Sequence, residues 1–144
     1  MYEYGCVLRR VIDGDSLELD IDLGFDTWLC KQNVRLVGVD APEIKRLSCV
    51  IDLDLKDELK TYGKYVRDWV VTNLSGKKLK MESSFFPQKD KYGRILGEIW
   101  FKDGDRWMSL NQTMLDSQLV VEYTGGDRAA LLDQHITNMN HWTT

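Results

Sequence analysis

Val-Leu-Arg-Arg-Val-Ile-Asp-Gly-Asp-Ser-Leu-Glu-Leu-Asp-Ile-Asp-Leu, residues 7–23, is the stretch from which the fold can be read. Leu17, Leu19, Ile21 and Leu23 alternate strictly with polar residues, the pattern of a strand with one face buried. Asp13-Gly14-Asp15 separates this run from the β-prone run Val7 to Ile12, and Gly24-Phe25-Asp26 separates it from a third run, Trp28 to Val39. Asp and Gly supply turn conformations at such junctions, so the three runs predict a meander.

Beyond residue 50 the period changes from 2 to 3.6. Leu55, Leu59, Tyr62, Val66, Trp69 and Val70 fall on one helical face, which predicts a helix over 54–73 ending near Ser75-Gly76. Strands over Lys77 to Phe85 and Ile95 to Lys102 follow, joined by a polar loop holding Asp90-Lys91-Tyr92-Gly93-Arg94. Ser109-x-x-Gln112 has the form of a capping box for a short helix over 110–117. Leu119 to Tyr123 is extended, and Asp127 caps a last helix over 128–140 with Leu132, Ile136 and Met139 on its apolar face. The order β-β-β-α-β-β-α-α is that of an OB-type barrel, a five-stranded Greek key with helices, so the fold class is a β-barrel α+β fold. At 144 residues one such domain accounts for the whole chain, 1–144.

Composition removes several classes. No run approaches the roughly 18 apolar residues of a membrane span, and the N-terminus has no basic-then-apolar leader, so the expectation is a cytoplasmic protein without a membrane partner. Cys6, Cys30 and Cys49 form no C-x-x-C pair, which argues against a disulfide framework and a zinc site. His135 and His141 are too few for zinc and read as surface or helix-face residues. Asp13-x-Asp15, Asp20-x-Asp22 and Asp52-x-Asp54 begin like EF-hand loops but lack the Gly at position 6 and the Glu at position 12. The net charge of −4 argues mildly against a polyanionic partner. Residues 60–94, however, hold nine basic and three acidic side chains, a local landing strip for one.

Val-Ile-Asp-Gly-Asp-Ser at 11–16, Val-Arg-Leu-Val-Gly-Val-Asp-Ala-Pro-Glu at 34–43 and Asp-Lys-Tyr-Gly-Arg at 90–94 occur in one order. In these segments the chain resembles the staphylococcal nuclease (thermonuclease) family, from about residue 7 to about 124. The residues themselves supply a chemistry: Asp15 and Asp40, each on a loop at a strand end, offer hard oxygen ligands for a divalent cation. The resemblance implies calcium as cofactor, bound by Asp15, Asp40 and the backbone carbonyl of Ala41, with Asp13 holding metal-bound water from the outer shell. It further implies that Glu43 activates the attacking water and that Arg35 and Arg94 grip the phosphate. Lys91 and Tyr92 match positions that contact a terminal phosphate, and Tyr123 lies near the family's nucleotide-contacting tyrosines.

The implied activity is calcium-dependent hydrolysis of DNA or RNA, preferably single-stranded, by a monomer, with 3′-phosphate ends. Calcium would offset two of the acidic charges at the point where the phosphate must sit. The rival readings are a non-catalytic OB-fold module that holds nucleic acid without cutting it, and a protein-interaction domain that docks an acidic partner on the basic segment. The chain also departs from the family: the Asp15-to-Arg35 and Glu43-to-Arg94 stretches are longer than in the well-known secreted member, and the C-terminal segment is short and lacks a lysine-rich helix.

Overall fold

A computed structural model describes residues 2–44, 52–83, 89–126 and 128–143. Strands β1 (Tyr2–Asp13), β2 (Ser16–Asp22) and β3 (Trp28–Leu36) form the meander that the alternation predicts. A two-residue β4 (Val39–Asp40) leads towards helix α1 (Leu53–Leu74), which is followed by β5 (Leu79–Ser83), β6 (Ile95–Asp103) and β7 (Arg106–Ser109). Helix α2 (Leu110–Asp116), a short β8 (Val121–Glu122), a 3-10 turn (Arg128–Leu131) and helix α3 (Leu132–Thr143) complete the chain. Among the described residues no helix is long and apolar enough to cross a membrane.

The sheet runs β3-β2-β1-β5-β6, and a parallel pairing of β3 with β6, Val34 with Ile95 and Leu36 with Gly97, closes these five strands into a barrel. Closure removes the unpaired edges that an open sheet would expose. β7 extends β6 outside the closed circuit as a hairpin through Gly104, whose φ is +63°. Leu17, Leu19 and Ile21 of β2 point inward, as the alternation requires, and meet Val34, Met81, Ile95 and Ile99 from the other strands.

Helix α1 seals one end with Leu59, Tyr62, Val66, Val70 and Leu74 buried. Leu55 and Trp69 of the predicted stripe are only half-buried, and Gly63 and Leu74 join the buried face instead. Asp52 caps the helix by accepting from the Asp54 and Leu55 amides at 2.9 and 3.2 Å.

Three local expectations change. The third run does not continue to Val39: β3 stops at Leu36, Gly38 turns the chain at φ +80°, and β4 then pairs with β8 instead. Ser109 does cap α2, accepting from the Gln112 amide at 3.1 Å, but the Gln112 side chain donates to Asp116 at 2.8 Å rather than closing a capping box. The last helix begins at Leu132 and buries His135, Asn138 and Met139, with Leu132 and Ile136 at the half-buried margin. The expected cap Asp127, Phe85 at the end of the predicted fifth strand, and Cys49 lie outside the described residues.

Candidate phosphate and cation site

Asp15 sits between the β1–β2 turn and the first residue of β2, and Asp40 ends β4. Two close approaches bring their loops against α1. A Cβ on Gly14 would lie 2.7 Å from Val66 Cγ1 and 3.0 Å from Ala41 Cβ. One on Gly63 would lie 3.0 Å from the Pro42 carbonyl oxygen and 3.1 Å from that of Glu43. The glycine in Asp13-Gly14-Asp15 therefore serves packing against the helix as much as the turn itself.

Arg35, near the end of β3, joins the two loops. Its Nη1 lies 3.1 Å from Asp15 Oδ2 and its Nη2 3.4 Å from Asp40 Oδ1. Nη1 also donates to the Leu36 carbonyl at 3.2 Å. All three residues are buried, with Asp15 5%, Arg35 6% and Asp40 3% exposed. Buried charges persist only when paired and hydrogen-bonded, and the remaining lone pairs here are accounted for. Asp15 accepts from the Ala41 amide at 2.9 Å and from Ser16 Oγ at 3.1 Å. Asp40 Oδ2 accepts from His135 Nε2 of α3 at 2.8 Å.

Arg35 also enters the wall of a groove of about 650 Å³ that includes Lys91, Tyr92, Arg94 and Tyr123. Asp90 builds the turn on one side of it. Its carboxylate accepts from the Tyr92 and Arg94 amides, each at 2.9 Å, and pairs with Arg94 Nε at 3.0 Å. Burial pushes the Asp90 carboxyl up, but the two amides and the Arg94 guanidinium outweigh it and hold the group below its ordinary value.

Arg94 uses Nε for Asp90, which leaves its Nη groups without a partner among the described residues. Tyr92, 66% exposed, has Lys91 Nζ and Arg94 Cζ each 5.2 Å from its ring centroid. Across the groove Tyr123 is anchored at both ends: its amide donates to the Gly38 carbonyl at 2.9 Å and its hydroxyl to the Gly126 carbonyl at 3.0 Å.

The chain thus brings Asp15, Arg35 and Asp40 into contact and aligns Arg35, Lys91, Tyr92, Arg94 and Tyr123 along one groove. Asp13, the last residue of β1, and Glu43, on the loop after β4, are half-buried and are not part of the groove wall. Asp15 and Asp40 both lie against the Arg35 guanidinium, and the side-chain donors they offer are all oxygen, the type a hard cation takes. Among the described residues no group of three or more His, Cys, Asp or Glu gathers as a metal cluster, so a cation here would draw further ligands from main-chain carbonyls and water.

The basic segment does not form the single strip its charge count suggests. Of its nine cations, Lys91 and Arg94 line the groove, whereas Arg67, Lys77 and Lys80 pair with Asp68, Asp103 and Glu3 elsewhere. His135, read as a surface or helix-face residue, does lie on a helix face, but a buried one: it is 7% exposed and bonded to Asp40. The signal that would have found it is its place between Leu132, Ile136 and Met139 on the apolar side of α3.

Residues 33–140 match the family described as staphylococcal nuclease homologue. The turn at Asp13 to Asp15 precedes the matched span, so its inclusion in the site rests on the contacts above. Thermonuclease of Staphylococcus intermedius is 34% identical over 97 residues, covering 67% of this chain and 49% of that protein. Thermonuclease of Staphylococcus hyicus is 33% identical over 91 residues, 63% of this chain and 45% of its own. An uncharacterized endonuclease of Escherichia coli is 33% identical over 106 residues, 74% of this chain and 52% of its own. The chain spans about half the length of these curated relatives.

Proposed function

The chain belongs to the family of staphylococcal nuclease homologues, and from that premise we propose that it is a calcium-dependent nuclease that hydrolyses phosphodiester bonds of DNA or RNA and leaves 3′-phosphate ends. The observation that carries this reading is Arg35, which touches both buried carboxylates and also lines the groove shared with Arg94, Lys91, Tyr92 and Tyr123.

Asp15, Asp40 and the Ala41 carbonyl would hold calcium, with Asp13 orienting water around them. Bound there, calcium would neutralise charge on the scissile phosphate and make nearby water a better nucleophile. Glu43 accepts the proton of the attacking water, a contribution of about 10²–10⁴-fold for a well-placed base. Arg35 and Arg94 donate to the non-bridging phosphate oxygens, whose charge grows as the fifth P–O bond forms. Water adds to phosphorus as the bond to the 5′ oxygen breaks, so the products are a 3′-phosphate and a 5′-hydroxyl. Lys91 and the Tyr92 hydroxyl receive a neighbouring phosphate, and Tyr123 flanks the nucleotide. Exposed aromatic rings favour unstacked bases, which supports a preference for single strands.

The test is incubation of the protein with single-stranded DNA, duplex DNA and RNA in calcium, magnesium or EDTA. Cleavage with calcium and none with EDTA is the expected result. Salt-steep binding of oligonucleotide without any cleavage would replace this reading with that of a binding module.

A further inference from the structure

Asp40 spends one oxygen on Arg35 and the other on His135, and only the first of these partners is a cation by necessity. A carboxylate only accepts, so the 2.8 Å contact requires the hydrogen on His135 Nε2. Nδ1 is buried with no hydrogen-bond partner among the described residues, so within them Asp40 is the polar contact of this ring. The two residues stand 95 positions apart and meet because β4 pairs with β8 just before the chain enters α3. α3 has other anchors: Asn138 Nδ2 donates to the Val120 carbonyl at 3.3 Å, Trp142 Nε1 donates to the Ser117 carbonyl at 3.0 Å, and Met139 is buried. A histidine is therefore not needed to dock the helix, yet a polar ring is buried where its donor can reach one carboxylate.

We propose that His135 is a positioning residue for the cation site. It holds Asp40 by Oδ2, which keeps Oδ1 against the Arg35 guanidinium that Asp15 shares, and it thereby sets the affinity of the pair for calcium. This rests on the cation reading above and adds to it a residue from the C-terminal helix. Outer hydrogen bonds of this kind restrict a ligand carboxylate to one rotamer, and their removal commonly costs 10–100-fold in metal affinity.

The test is calorimetric titration of the full chain with calcium chloride in metal-free buffer, for wild type, His135→Ala, His135→Gln and Ile136→Ala, with thermal unfolding followed in parallel. His135→Ala should weaken calcium binding by about 10–100-fold. His135→Gln, whose amide can still donate to Oδ2, should recover most of that loss. Ile136→Ala, which trims the same helix without touching Asp40, should lower the melting temperature and leave the affinity unchanged. Should His135→Ala fail to fold, His135→Asn, whose shorter amide stops short of Oδ2, takes its place. An affinity within twofold of wild type in His135→Ala overturns the proposal. So does tighter binding, an equal loss in Ile136→Ala, or a loss that Gln does not recover. If wild type itself binds no calcium, the cation reading fails and this inference falls with it; if wild type binds and His135→Ala binds equally, only the inference fails.

Discussion

Replacing Arg35 with Met tests the charge arrangement at the centre of the site independently of catalysis. Met keeps most of the aliphatic stem and removes the guanidinium, leaving Asp15 and Asp40 buried without their shared cation. Removing one partner of a buried ion pair typically costs about 3–5 kcal/mol. The lower end applies, because Asp15 keeps the Ala41 amide and Ser16 hydroxyl and Asp40 keeps His135. With a urea m-value of about 2 kcal/mol/M, a loss of about 3 kcal/mol moves the midpoint down by roughly 1.5 M. Equilibrium urea unfolding in EDTA, monitored by tryptophan fluorescence, measures it. The triple variant Arg35→Met, Asp15→Asn, Asp40→Asn should recover much of the loss, because it removes the charges that would otherwise be unpaired. A single-variant cost under about 1 kcal/mol, or a triple variant less stable than the single, would refute the claim that the guanidinium holds these carboxylates together.

Glu43→Gln and Arg94→Ala should each keep the fold by circular dichroism and cut cleavage of single-stranded DNA by about 10² or more; near-wild-type rates would remove the assigned roles. Glu3, Glu82 and Glu98 stand side by side across β1, β5 and β6. Partial burial first, then the hydrogen bond and charge of Glu3 and the charge of Glu98, raise the Glu82 carboxyl against the opposing effect of Lys80. The folded state thus holds this proton more tightly than the unfolded chain, and the stability it contributes is present at acid pH and lost as pH rises through the raised value. Glu82→Gln should therefore gain about 0.5 kcal/mol at pH 7 and nothing near pH 3, measured by thermal unfolding. Asp90 has the opposite sign: its lowered carboxyl contributes stability above the ordinary Asp range that fades as pH falls. Asp90→Asn should flatten that acid limb and weaken oligonucleotide binding by loosening the Tyr92–Arg94 turn. Gly63→Ala gains helix propensity of about 1 kcal/mol but drives a methyl against the Pro42 and Glu43 carbonyls, so a net loss of about 1–2 kcal/mol in urea unfolding is expected, with cleavage reduced.

What the sequence by itself determined is what neighbours in the chain decide. The alternation of Leu17, Leu19 and Ile21, the turn residues between strands, the helical stripe through Leu59, Tyr62 and Val66, and the cap at Ser109 are set by local geometry and were legible. The order of Asp15, Arg35, Asp40, Glu43 and Arg94 was likewise open to reading. What the tertiary structure decided is everything that depends on closing the barrel. The parallel join of β3 to β6 pairs Arg35 with Leu96, two residues beyond Arg94. The approach of α1 makes Gly14 and Gly63 packing residues, and pairing of β4 with β8 brings α3 to Asp40. Local signals could not assign the basic segment either, because half of a lysine's environment is its partner, and Asp103 and Glu3 reach Lys77 and Lys80 from positions remote in the sequence. His135 is the clearest case. Its place among Leu132, Ile136 and Met139 marks it as facing the apolar side of α3, but only long-range packing aims its ring at Asp40.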